Sequence, residues 1–415
     1  MEITKENYEK QLDGFTEYAV EHITKICDEI GPRESGSKQE REAQKYWAKE
    51  LEKFSDSVEI EDFDVHPHAF MAWVVIDATL MLLSFVFYFA LKLPIVSFAM
   101  AAVSAACMIG EFLFYKQFLD PLFKKQVSCN VVARREPVGE VKQRIIFSGH
   151  CDSAWEWWYT YIGGHIALKT VCYGSIIGLI YIIIVNIVTL ITSGMKAVPT
   201  QGVAAVLGWS QLVFVPFFIA LYFLCNWKRI VPGANDNLTG CAAAVAVMKY
   251  LSDNDIRFEN TEVIAVTTGC EEAGLRGANA YTKRHLKELN ETTSVFFGMD
   301  TLTDYDDMAI YIKDMTGTVN NDPRVCALIK AGGKKAGLDL PYEKVYFGAS
   351  DAAAVSKLGV PAATLAAMDP APPRYYHTRL DTPEALKPET FRACLDACIQ
   401  TVFIFDEQGL KKEYE

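Results

Sequence analysis

Four runs of nearly unbroken apolar residues limit what this chain can fold into. They span 69–91, 93–115, 170–192 and 203–227. Each is roughly 20–25 residues, enough for a helix to cross about 30 Å of hydrocarbon. Short turns join them in pairs, Leu91-Lys92-Leu93-Pro94 and Ser193-Gly194-Met195-Lys196. Trp73, Tyr115, Tyr173 and Trp227 sit near run ends, where interfacial aromatics collect. Two buried hairpins in a soluble core are the plainer alternative, but four such runs exceed what an ordinary core holds. The expectation is two hairpins of transmembrane helices, with the acids inside them, Asp77 and Glu111, close to the interface.

Four crossings return the chain to its starting side. Lys116, Lys124, Lys125, Lys169, Lys228 and Arg229 flank the spans there, against Lys92 and Lys196 in the far turns. The excess of positive charge predicts a cytoplasmic polar domain on an integral membrane protein of four spans. The polar start, MEITKENYEKQLDGF, predicts no cleavable signal. Eleven cysteines without CxxC spacing read as reduced, buried thiols. A net charge of −12 disfavours nucleic acid as a partner. The lipid bilayer is the partner the runs imply, and a homodimer is compatible with them.

The polar remainder alternates short β-branched runs with helical periodicity. Two amphipathic helices cover 7–54, and 58–65 alternates as a strand. Strands follow at 128–134, 143–148, 261–267, 294–297, 308–312 and 362–366, with helices at 238–251, 280–289, 323–336 and 388–407. This predicts an α/β fold, a mostly parallel mixed sheet sandwiched by helices. The organisation expected is 1–68 as the first part of that domain, 69–115 as the first hairpin, 116–169 as domain strands, 170–227 as the second hairpin and 228–415 as the main part of the domain.

At the ends of these strands, or in adjoining loops, stand His150, Asp236, Glu272, Asp300 and His377. Each has a plain reading alone: a surface histidine, a helix cap, an acidic helix start. Together they form a nitrogen and oxygen donor set suited to zinc, with manganese or cobalt as alternatives, rather than to calcium. Five ligands are too many for a single catalytic zinc with an open position, but they fit two ions sharing a carboxylate. Asp152, two residues after His150, is placed to orient its imidazole. Glu271, beside Glu272, is left to act as general base.

The segments GHCDS, PGANDNLTG, TTGCEEAGLRGA, GMDTL, GASDAAAV and YYHTRLDTPE resemble, in that order, the di-zinc aminopeptidases of the MH clan, the family of bacterial leucyl aminopeptidase and aminopeptidase Y. IGPRESGS near the N-terminus resembles that family's first segment. The resemblance covers roughly 15–65 and 127–410 less the second hairpin. It implies a zinc exopeptidase fold and a metallopeptidase with two Zn2+ per chain. It further implies that Asp236 bridges the ions, that His150 and Asp300 complete one site and Glu272 and His377 the other, that Asp152 orients His150 and that Glu271 is the base. Candidate substrate contacts are Tyr346, Ser350 and Asp351, and Trp155 and Trp158 in the aromatic stretch after His150. The chain departs from the family in carrying Ala352 where many relatives have histidine, and in placing the second hairpin between His150 and Asp236.

The function expected is a membrane-bound, zinc-dependent aminopeptidase acting on a peptide or amide. An amidase taking lipid-like amides from the bilayer is the second reading, and a non-catalytic membrane scaffold the third. A one-metal glutaminyl cyclase is disfavoured by the full ligand set.

Overall fold

The structure is a computed structural model and describes residues 5–414. Apolar residues spaced three and four apart produce α1 (Lys5–Glu29), which buries Leu12, Phe15, Ala19, Ile23 and Ile26. α2 (Lys38–Leu51) starts at Ser37, whose Oγ accepts the Glu40 N–H at 3.1 Å. β1 (Ser57–Val65) follows. The chain then leaves for α3 (Ala69–Phe85), helical on to Ala90, and α4 (Pro94–Cys107), helical on to Leu113. It returns as β2 (Gln126–Arg135), antiparallel to β1 with Val65 opposite Gln126. The first insertion therefore leaves and re-enters at adjacent ends of one ladder.

β3 (Gln143–His150) is followed by the second departure: β4 (Trp155–Trp157), α5 (Trp158–Ser193), α6 (Gly202–Ser210), α7 (Val215–Leu221) and β5 (Cys225–Ile230). β4 pairs with β5, and the Val231 N–H donates to the Ala154 carbonyl at 3.0 Å. This insertion, too, is closed at its root by backbone hydrogen bonds. The rest of the chain alternates: α8 (Thr239–Asp253), β6 (Thr261–Thr268), α9 (Arg276–Glu291), β7 (Thr293–Leu302), β8 (Met308–Asp314), β9 (Val319–Asn320), α10 (Pro323–Lys335), β10 (Tyr342–Lys344), α11 (Asp351–Lys357), β11 (Ala362–Ala367) and α12 (Pro388–Gln408).

These elements divide into two units. The α/β unit takes the chain up to Pro67, Lys125–Trp155 and everything from Arg229; the helical unit takes His68–Lys124 and Glu156–Lys228. In the α/β unit one sheet runs in the order β1-β2-β6-β3-β7-β11-β8-β10, with β9 on β8. Four of its eight pairings are parallel, β6–β3, β3–β7, β7–β11 and β8–β10. The other four are antiparallel, so the sheet is evenly mixed rather than mostly parallel. The difference arises at the flanks. β1 and β2 join as an antiparallel ladder, and β8 reverses beside β11.

Parallel pairing at the centre puts strand ends on one rim. His150 lies opposite Thr268 across β3–β6, and Ser148 opposite Gly298 across β3–β7, which brings His150 level with Asp300. α8 packs over this rim through small residues. A Cβ on Gly149 would come within 2.3 Å of the Gly240 carbonyl carbon, so strand and helix meet backbone to backbone.

Four helices of the helical unit are long and apolar enough to cross a membrane: Ala69–Ala90, Pro94–Leu113, Trp158–Ser193 and Gly202–Leu221. Two boundaries differ from the sequence expectation. α5 begins at Trp158, ahead of the apolar run at 170, and bends at Gly164 (φ +63°). The fourth run stays helical only to Leu221, because Cys225, Asn226 and Trp227 are drawn into β5. Asp77 and Glu111 are buried within the helical unit, where Glu111 Oε1 accepts the Leu119 N–H at 2.8 Å. All eleven cysteines are free.

Candidate metal centre

Five chain segments meet at the rim. β3 ends in His150, with Asp152 two residues on; the loop after β6 supplies Glu271 and Glu272; and β7 carries Asp300. Asp236 lies in the loop before α8, and His377 in the loop after β11. Three groups of these side chains bring their ligating atoms within 4.8 Å: His150 with Asp236 and Asp300; Asp236 with Glu272 and His377; and His150 with Glu271 and Glu272. Asp236 belongs to two of them. Its Oδ1 lies 3.1 Å from His150 Nε2 and its Oδ2 3.0 Å from His377 Nε2. Glu272 Oε1 lies 3.3 Å from His377 Nε2, and Glu271 Oε2 3.8 Å from His150 Nε2.

The loops that carry ligands are braced by residues the sequence did not single out. Asp381 accepts from the Asn235 N–H at 2.8 Å, the Asn235 side-chain amide at 2.8 Å and the Asp236 N–H at 3.1 Å. Asn237 Oδ1 accepts the Gly240 N–H at 2.9 Å, and its amide donates to the Met299 carbonyl. The two asparagines thus anchor the turn while the aspartate between them faces the cluster. Arg33, fully buried, donates to the carbonyls of Gly31, Cys151, Pro232 and Gly233. It therefore ties together the segments on either side of the second insertion. Asp381 lies inside YYHTRLDTPE and Arg33 inside IGPRESGS, so the signal was present, but only as motif context.

Asp152 has more than one task. Its Oδ1 is 3.5 Å from His150 Nδ1, and its carbonyl 3.3 Å. Its carboxylate also accepts the backbone N–H groups of Glu271 at 3.0 Å and Glu272 at 3.1 Å, and the Ser35 hydroxyl at 2.6 Å. One side chain therefore lies beside an imidazole and fixes the backbone of the neighbouring glutamates. Of the remaining candidates, Asp351 lies near enough to the cluster to feel the charges of His150 and Asp152. The Ser350 hydroxyl donates to Asp314 at 2.5 Å and lies 2.6 Å from the Thr364 hydroxyl. Asp351 Oδ2 accepts from Thr268 at 2.5 Å, while its Oδ1 is buried without a hydrogen bond. Tyr346 is two-thirds exposed (67%) beyond β10. Trp155 is half-buried at the edge of the α/β unit, and Trp158 opens α5 in the helical unit. The Tyr376 ring stacks on His377 at 4.1 Å.

The electrostatics indicate what the cluster lacks. Burial, with the charges of their neighbours, pushes the Glu271 and Glu272 carboxyls well above the usual range. Burial first and Asp236 second push Asp300 up to about 7, and burial with Asp236 does the same to Asp381. Burial alone would lower His150, but Glu271, Asp152 and Asp236 hold it well above its ordinary value. Burial would likewise raise Asp236; its contacts to His150 and His377 outweigh this and hold it low. Two imidazoles do not balance this many buried carboxylates, and uncompensated buried charge is costly. Asp236 Oδ2 and Glu272 Oε1 are buried and accept no hydrogen bond. Unmet oxygens beside imidazoles, in a nitrogen and oxygen set with excess negative charge, are what a divalent transition metal requires. The residues fit zinc.

The fold is similar to an aminopeptidase from Aneurinibacillus sp. strain AM-1, at 16% identity and a TM-score of 0.56 over 95% of each chain. It is similar to a zinc aminopeptidase from Bacillus subtilis at 15% identity and 0.56, over 96% of each chain. It is also similar to a glutaminyl cyclase from Fimbriiglobus ruber at 14% identity and 0.54, over 94% of this chain and 95% of that one. These likenesses show a shared fold, common to aminopeptidases and a glutaminyl cyclase. Residues 222–402, which take in Asp236, Glu271, Glu272, Asp300 and His377, match the model of Peptidase family M28, which supports a peptidase.

Proposed function

We propose that the protein is a membrane-embedded aminopeptidase that uses two zinc ions held by the rim cluster. The observation that carries this reading is the pair of three-residue groups sharing Asp236. His150, Asp236 and Asp300 would hold one ion; Asp236, Glu272 and His377 the other. Bound zinc supplies Lewis acidity, acidifying a water and polarising the scissile carbonyl. Glu271, beside His150, takes the water's proton and passes it to the leaving amine. Asp152 keeps the His150 ring and the Glu271 backbone in place through that transfer. The buried carboxylates outnumber the charges of two dications, and among the described residues none of them pairs with lysine or arginine. The surplus suits a substrate that presents a free α-ammonium rather than a carboxylate.

The four apolar helices and their flanking lysines support four membrane spans with the catalytic unit in the cytoplasm. A second reading, hydrolysis of lipid-like amides, is favoured by one feature. The root of the second insertion, Ala154 and Val231, lies within five residues of His150 and Asp236. Turnover of aminoacyl chromogenic amides and of their N-acylated forms, in matched detergent and with chelator and zinc add-back, decides between them. Chelator-sensitive cleavage confined to free amines supports the aminopeptidase. Preference for acylated substrates replaces it with the amidase, and no zinc-dependent cleavage of either refutes both.

A further inference from the structure

Ser37-Lys38-Gln39-Glu40 reads as a capping box, in which the glutamate three residues after the cap reaches back to the N-terminus of its own helix. In the structure Ser37 does its half, accepting the Glu40 N–H. The Glu40 carboxylate serves a second loop as well. Oε2 accepts the Gly36 N–H at 2.9 Å and the Ser128 hydroxyl at 2.7 Å; Oε1 accepts the N–H of Cys270 at 2.7 Å. Cys270 immediately precedes Glu271 and holds a left-handed backbone (φ +52°), unusual for a residue with a side chain. The approach is close: a Cβ on Gly269 would fall 3.0 Å from Glu40 Oε1.

Glu40 is fully buried, and its partners among the described residues include no lysine or arginine. Burial and the nearby Asp152 charge push its carboxyl up to about 8, while the Ser128, Cys270 and Gly36 donors act in the opposite direction. Three donors from separate segments meet on this one carboxyl group, and together they fix a geometry, here the left-handed turn from which Glu271 projects. Asp152 grips the same turn one residue on, through the Glu271 N–H.

We infer that Glu40 is a positioning residue for Glu271, setting the backbone of the general base from outside the metal cluster. The inference rests on the assignment of Glu271 as base. Glu40→Gln keeps the size but presents an amide to backbone donors. A displacement of about 1 Å can cost on the order of 100-fold, so the expected result is a 10- to 100-fold fall in kcat. KM should stay within about twofold and zinc content unchanged. The decisive readout is a cycle with Glu271→Gln: once the base is gone, Glu40→Gln should cost less than about twofold more. Zinc loss, or the same fold-loss in both backgrounds, would make Glu40 a general structural residue and overturn the inference. If Glu40→Gln does not fold, Ser128→Ala removes one donor to the same carboxylate. It should lower kcat about 2- to 5-fold in the wild-type background only, and no change there overturns the inference equally. Wild-type protein run alongside separates the two levels: an inactive wild type removes the hydrolase reading and this role together, whereas an active wild type with an unaffected Glu40→Gln removes only the latter.

Discussion

The two units differ in what they expose and in the polarity they bury. In the α/β unit the sheet and α8 enclose apolar side chains, and the buried acids converge on one rim. The helical unit buries apolar side chains too, among them Val74, Met81, Ile182 and Phe218, but mixes polar ones with them and exposes an apolar face. Asn186, Gln211, Ser84, Ser97 and Ser104 are buried, while Ile191, Val203 and Trp209 stand well exposed. Only 22–39% of the residues in the most apolar stretch of each long helix are buried. A surface of isoleucine and valine is stable where the surroundings are themselves apolar. The comparison teaches that buried polarity has two meanings in one chain. At the rim it is a surplus of charge with unmet oxygens, which needs a cation. Between the helices it is mostly neutral hydroxyls and amides, several of them bonded within their own helix, as Ser84 is to the Met81 carbonyl.

The comparison can be sharpened from its strongest side. Glu271→Gln should lower kcat by about 10²–10⁴ with zinc content intact, measured by steady-state hydrolysis and elemental analysis. Normal turnover would remove the base assignment. Asp381→Ala releases the Asn235–Asp236 turn without touching a ligand, and should weaken zinc affinity by about 10–100-fold in a chelator competition. Unchanged affinity would show that the turn holds itself. In the helical unit, Ile184→Lys places a charge on the exposed face of α5. It should disfavour membrane insertion by about 2.5–3.5 kcal/mol, read as loss of membrane-fraction protein. A neutral result would mean that this face meets water. Asn186→Leu should be the smallest change, within about 1–2 kcal/mol in a detergent unfolding titration and with zinc unaffected, since Asn186 bonds only its own helix at the Ile182 carbonyl. A large loss would give the helical interior a more specific role.

Much of this was legible in the sequence because it rests on local pattern. β-branched runs ending at His150 and before Glu271 announced strands that deliver side chains to a rim. The four apolar runs announced the long helices. What stayed hidden depends on contacts between distant segments. Asp381 and Glu40 are acids in polar surroundings, with nothing local to show that one holds the Asp236 turn and the other the Cys270 backbone. Cys225, Asn226 and Trp227 look like the end of a span, and only pairing with 155–157 makes them a strand. The even mixture of parallel and antiparallel pairs was equally out of reach, because strand direction at the flanks is set by which neighbours meet rather than by alternation along the chain.

The most direct test of the central claim is the zinc content of purified full-length protein, wild type against Asp236→Ala, by elemental analysis after zinc loading. Sharing of Asp236 by both groups predicts about two ions per wild-type chain and loss of both in the variant. One ion in the wild type, or two retained in Asp236→Ala, would contradict the shared carboxylate on which the account is built.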